Sequence, residues 1–201
     1  MLTVLSFLLL LSAANASGQD EPFEKLKAAM ADAACCRYEF LSIIESEVFE
    51  STDTTVGTAL IAADGRYHIS IGPDEYLRTT DKLYSYSSTE NQLTVETLGT
   101  GDLRPESVSF VTRLNDHYST RVVVPSRQYF LTLTDTAAAD LPDSLSVSLL
   151  AGKPGLERIE FFDVNNDRNR IVFSKSEYFD ECDESALTPH FPDSAEVINL
   201  R

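Results

Sequence analysis

The chain has 201 residues, and 32 acidic against 16 basic side chains give it a formal charge of −16. That balance disfavours direct contact with nucleic acid or an anionic membrane face and favours contact with basic surfaces. The length suits one domain with a sizeable core, and no segment reaches the roughly 20 apolar residues of a membrane-spanning helix.

Met1–Ala16 contains the apolar run Val4–Leu11 followed by Ala14-Asn15-Ala16, the small-residue pattern of a secretory cleavage site. The expected division is a signal peptide at 1–16 and a single exported domain at 17–201. No Cys stands at the cleavage point to carry a lipid. Residues 21–34, EPFEKLKAAMADAA, predict a helix: Phe23, Leu26 and Met30 fall three and four apart, and Pro22 and the early acidic residues suit its first turn. Arg37–Phe49 predicts a strand with Tyr38, Phe40, Ile44 and Val48 on one face. Thr55–Ala62 predicts a second strand, closed by a turn at Ala63-Asp64-Gly65.

Residues 65–96, GRYHISIGPDEYLRTTDKLYSYSSTENQLTVE, read as four short strands joined by tight turns and hold four of the eight tyrosines: Tyr67, Tyr76, Tyr84 and Tyr86. Strands this short must tile one antiparallel sheet, whose apolar face then needs a cover. A Gly-bearing loop leads to Pro105, which opens a predicted short helix with Val108, Val111 and Leu114 three apart and Phe110 beside them. Further strands are expected at Thr120–Val124, Arg127–Thr134, Ser144–Leu150, Leu156–Val164 and Arg170–Tyr178, with a hairpin turn at Asn165-Asn166-Asp167.

An exported chain meets an oxidising compartment, so Cys182 is expected to bridge to either Cys35 or Cys36, leaving one thiol over. His68, His117 and His190 show no metal-ligand spacing. Asp163-Val164-Asn165-Asn166-Asp167 starts like a calcium loop, but Arg168 and Ser174 stand where its Gly and closing Glu belong, so a hairpin turn is expected instead. No nucleophile elbow appears, and neither catalysis nor a cofactor nor a metal is expected.

The order of elements resembles that of the periplasmic outer-membrane lipoprotein carrier (LolA) family. CCRYEFLSIIES follows the first helix, where that family has its Phe-rich first strand. TTDKLYSYSSTENQLTVE is similar to its turn, "lwxY" and "qvtv" stretch, and LRPESVSFVTRL lies where its Pro-started second helix falls. RQYFLTLTD resembles "yxLxLxP", LERIEFFDVNNDRNRIVFSKSEY the hairpin after it, and HFPDSAEVINL the closing "FxxPxGvxVi". Each stretch alone is loose, and the order across nearly the whole mature chain is what carries the resemblance. The chain departs from better-known members in having Ala62-Ala63-Asp64 where an Arg-Pro pair is usual, no Trp, Lys82 at a Gly-Lys position and Ser194 near the expected late Gly. It reads as a divergent member, and no single polar functional residue is carried over.

The resemblance implies an α+β fold, an unclosed antiparallel half-barrel of about ten to eleven strands with helices covering its concave apolar face. It also implies a monomeric periplasmic carrier that shields lipoprotein acyl chains on the way from the inner to the outer membrane. Its partners would then be the acyl chains as cargo, an inner-membrane lipoprotein-releasing transporter and an outer-membrane acceptor, with no stable membrane insertion. An acyl chain in water costs about 0.8 kcal/mol per CH₂, so a diffusing complex needs an apolar cavity. The lining candidates are Tyr38, Phe40, Leu60, Tyr67, Ile69, Tyr84, Tyr86, Leu131, Val147 and Ile171, with Phe110 and Leu114 from the helical cap. The alternative is an exported binding or sensor module on the same half-barrel, recognising another apolar ligand or a partner protein.

Overall fold

Helix α1 runs from Glu21 to Asp32. Glu21 and Glu24 lie in its first turn, where carboxylates complement the helix dipole, and they pair along the surface with Lys25 and Lys27. Phe23 and Leu26, three residues apart, are its buried side chains. The computed structural model describes residues 21–98, 118–123, 128–134 and 142–200. The helix expected after Pro105, with Phe110 and Leu114, lies outside the described residues, as does the apolar run at Val4–Leu11.

After α1 the chain enters β1 (Cys35–Ser46), which pairs along its whole length with β2 (Ser51–Ala62). Val48, expected on the face of the first strand, stands instead in the turn between them and is 76% exposed. The four short strands follow as β3 (Tyr67–Ile71), β4 (Asp74–Arg78), β5 (Lys82–Ser87) and β6 (Gln92–Thr97). The remaining strands are β7 (Tyr118–Val123), β8 (Gln128–Leu133), β9 (Ser144–Leu149), β10 (Leu156–Phe162) and β11 (Arg168–Phe179). A one-turn 3-10 helix at Glu184–Leu187 precedes β12 (Glu196–Leu200).

All of them form one sheet of 12 strands in the order β12-β6-β5-β4-β3-β2-β1-β11-β10-β9-β8-β7. Pairing is antiparallel except at β12, which runs parallel to β6. The sheet does not close on itself, and with α1 it makes an unclosed α+β half-barrel. Its strand count exceeds the expected ten to eleven because the closing stretch adds β12. A parallel partner suits that strand: the chain from the end of β11 crosses one face of the sheet before it can reach β6.

Two local devices hold the register. Ser174 is an extra residue in β11 between the partners of Glu39 and Phe40, and its hydroxyl donates to the Glu39 carbonyl at 3.1 Å. At the β10–β11 turn, Asp163 Oδ1 accepts the backbone N–H groups of Asn165 (2.9 Å) and Asp167 (3.0 Å), while Asn166 takes φ +63°. The Asp163 carboxylate is thus engaged by the turn itself.

Because side chains alternate along a strand, the register sorts residues into two faces. Cys36, Ile61, Tyr67 and Leu83 lie in one row across β1, β2, β3 and β5, with Arg78 of β4 between the last two, and Tyr38, Ala59 and Ile69 form the next row. The apolar members of these rows, with α1, belong to the main core on the concave side. On the convex side, near β9–β11, Arg158, Arg168 and Arg170 share an ion network with Glu45 and Glu160.

Candidate functional site

Among the described residues the concave face carries the larger of two buried apolar clusters. β1 contributes Tyr38 and Phe40, β3 contributes Tyr67 and Ile69, and the opposite wing contributes Tyr129, Leu131, Leu145, Val147, Ile159, Ile171 and Phe173. Above them lies α1, whose Phe23 ring stacks on Tyr129 with centroids 4.8 Å apart. Leu26 is 1% exposed. The Phe40 ring lies across β2 at Gly57, where an added Cβ would sit 2.3 Å from its Cζ, so only glycine admits this aromatic floor.

Polar groups sit within this apolar surface. The hydroxyls of Tyr38, Ser176 and Tyr178 are buried, and none forms a well-aligned hydrogen bond among the described residues. Ser176 faces Tyr38 across the β1–β11 pair, and Tyr178 faces Cys36. Burial, reinforced by the neighbouring Cys36 and Tyr178, pushes the Tyr38 hydroxyl far above the ordinary tyrosine range. Burial and then Cys36 push Tyr178 up to about 12, and burial raises the Cys36 thiol as well. The two tyrosines and the thiol are therefore uncharged at neutral pH. Tyr38 stands within hydrogen-bonding reach of Cys36 and Tyr178, and buried hydroxyls whose partners are poorly aligned are groups that an ester or amide carbonyl can satisfy better.

Of the twelve lining candidates, Tyr38, Phe40, Tyr67, Ile69, Leu131, Val147 and Ile171 come together in the concave cluster. Leu60 does not. It sits on the convex face with Cys35, Ala62 and Leu187, because it alternates with Ala59 and Ile61 along β2. Tyr84 and Tyr86 also face the convex side, where both rings pack on Phe191 at 5.8 and 5.7 Å. On β5 it is Leu83 that reaches the concave core. Residues absent from the expected set, chiefly Phe23, Tyr129, Ile159 and Phe173, belong to the same cluster. Tyr129 could have been found from its spacing of two from Leu131, and Phe23 from the apolar stripe of α1.

The cysteines divide by the same alternation. Cys35 points to the convex side and is disulfide-bonded to Cys182, with Cα atoms 5.2 Å apart. Cys36 points inward and is a buried free thiol. No helix among the described residues is long and apolar enough to cross a membrane.

An unclosed half-barrel with a helix over its apolar concave face defines a fold shared with solved structures. An uncharacterized conserved protein from Thermus thermophilus matches with a TM-score of 0.53 and 10% identity, over 91% of this chain and 99% of that one. A LolA superfamily protein from Nitrosomonas europaea matches with a TM-score of 0.45 and 9% identity, over 85% of this chain and 97% of that one. LprF from Mycobacterium bovis gives 0.43 and 10%, over 90% and 98%. Likeness at such identity concerns the fold, and among these the Thermus protein carries it. No family model and no curated protein matches the sequence.

Proposed function

We propose that this protein is an exported carrier that holds acyl chains of lipoproteins between the half-barrel and α1, moving them through the periplasm from the inner to the outer membrane. The observation that carries the reading is the concave face itself. It is a large apolar surface holding the buried hydroxyls of Tyr38, Ser176 and Tyr178, none in a well-aligned hydrogen bond among the described residues, and it lies under a 12-residue helix. In the empty protein α1 covers that surface; in the loaded one acyl chains take its place, and the hydroxyls receive carbonyls of the cargo. Exchanging one apolar cover for another keeps the free-energy difference small, which release at an acceptor requires. Support also comes from the sequence resemblance to the LolA family, which runs in order along the chain.

Of the lining candidates, Tyr38, Phe40, Tyr67, Ile69, Leu131, Val147 and Ile171 are those proposed to contact cargo. The donor would be an inner-membrane lipoprotein-releasing transporter and the acceptor an outer-membrane protein. Native mass spectrometry of protein from its host's envelope tests the proposal, together with transfer of labelled lipoprotein from inner-membrane vesicles. Bound lipid or lipoprotein with transfer is expected. Ligand-free protein with no transfer overturns it, and a bound protein partner with normal lipoprotein sorting would favour a binding or sensor module.

A further inference from the structure

On the convex face, the segment after the disulfide crosses β2–β5 and leaves a cleft of about 310 Å³ lined by Glu75, Tyr86, His190, Phe191 and Pro192. Tyr84 and Tyr86, two apart on β5, flank the Phe191 ring, and Glu75 stands directly across from Tyr86 on β4. The Tyr86 hydroxyl donates to Asn91 Oδ1 at 3.3 Å, which fixes the ring. Among the described residues the only ionic neighbour of Glu75 is His68, 3.4 Å away. The concave face uses none of these groups.

We propose that this cleft binds a methylated ammonium group. Ring faces are electron-rich and attract a cation, and a nearby carboxylate adds to the attraction. A bare ammonium carries three N–H donors and holds its water strongly, whereas the cleft walls are two aromatic rings, a proline and an imidazole with one carboxylate. A quaternary ammonium has no donor to satisfy and presents methyl groups to the rings. The cleft is larger than a trimethylammonium head, so the rest of the ligand can leave through its mouth. Free quaternary amines and the choline headgroup of a lipid share this chemistry. The site lies on the opposite face from the proposed acyl-chain surface and stands or falls independently of it.

The test is an NMR titration of the labelled full chain at neutral to mildly alkaline pH with choline and with its neutral isostere dimethylbutanol. Saturable shifts centred on Glu75, Tyr84, Tyr86 and Phe191 are expected, with choline binding at least about tenfold tighter than the alcohol. Glu75→Gln, which removes charge and keeps shape, should weaken choline about tenfold and leave the alcohol unchanged. Phe191→Leu, which keeps an apolar cover, should reduce the preference for the cation, leaving what Glu75 and Tyr86 supply. Equal binding of choline and the alcohol overturns the proposal, as does no saturable shift with choline up to about 50 mM, beyond the millimolar range of weak specific sites. A glycerophosphocholine arm separates the sources: tighter binding than choline supports a lipid headgroup, and equal binding a free amine.

Discussion

The two faces of the sheet are covered in different ways. On the convex side the C-terminal segment is fastened. Cys182 is bonded to Cys35, Glu184 forms two hydrogen bonds with Arg66 at 2.7 and 3.0 Å, and Asn91 Nδ2 donates to the Ser194 carbonyl at 2.8 Å. β12 then pairs with β6. On the concave side α1 is packed but not fastened. Its ion pairs run within the helix, and its described contacts with the sheet are apolar, through Phe23, Leu26 and Met30. The fixed point is the joint after the helix, where Ala34 N–H donates to the Phe179 carbonyl and Ala63 N–H to the Ala34 carbonyl. One cover is a strap, and the other is an apolar packing joined to the sheet at one end. Apolar packing can be exchanged for a ligand of like character, whereas a disulfide and a β-ladder cannot.

The largest expected effect is on the strap. Cys35 and Cys182 are 147 residues apart, so removing their bond restores a large loop entropy to the unfolded chain, up to about 5 kcal/mol. Cys182→Ser should lose most of that in denaturant unfolding without reductant. A loss below about 1 kcal/mol would mean that the tail is held by its non-covalent contacts alone, and the contrast between the covers would weaken.

The helix comes next. Truncating an obligate core phenylalanine costs about 3–5 kcal/mol throughout a protein. If α1 is a lid, Phe23→Ala should speed amide exchange in α1 about a hundredfold, while the sheet loses no more than the free energy of detaching the helix. Native-state hydrogen exchange read residue by residue decides this. A full loss of protection in β1, β2 and β11 would make α1 a part of the core and break the comparison.

Much of this arrangement was legible in the sequence, because alternation and turn residues reveal strands whose pattern is simple. The four short strands from Tyr67 to Thr97 and the helix with Phe23 and Leu26 are read directly. Which face a residue takes is harder where both faces are covered. In β2 the run Ala59-Leu60-Ile61-Ala62 is apolar throughout, so alternation says nothing about Leu60. For Tyr84 and Tyr86 the signal was present in the turn lengths. Ile71 pairs with Asp74 and Arg78 with Leu83, so odd-numbered residues of β3 share a face with even ones of β4 and odd ones of β5. Tyr67 and Tyr84 therefore lie on opposite faces. What no local pattern shows is Phe191, which is brought onto β5 by the long return of the tail.

A smaller effect is expected at the floor of the concave face. Tyr38→Phe removes a buried hydroxyl that lacks a well-aligned partner, so stability should hold or rise by up to about 1 kcal/mol. Binding of an ester-containing acyl ligand should weaken several-fold, while an alkane of equal length is unaffected. A stability loss above about 1 kcal/mol would show that the hydroxyl already has a partner in the empty protein.

The smallest effect concerns one fastening of the strap. The Arg66 guanidinium beside Glu184 holds its carboxyl below the ordinary glutamate value of 4.5. A carboxyl with a depressed pKa in the folded state stabilises it at and above its unfolded pKa, and that contribution is lost as pH falls through the folded value. Contacts between the 3-10 turn and β3 should accordingly be intact at pH 6 and weaken only below the ordinary glutamate value of 4.5. Both partners are on the surface, so the change should be no more than a few-fold in tail opening and should shrink in high salt. Following the Glu184 carboxyl by NMR checks the sign: its midpoint should lie below 4.5 in the parent chain and rise in Arg66→Gln, where burial and the neighbouring Asp64 and Asp183 carboxylates are no longer opposed. If the disulfide dominates the strap, the tail of Arg66→Gln should stay docked on Leu60 and Ala62 across the whole range. Detachment of the tail in that variant would move the main fastening from Cys182 to the ion pair.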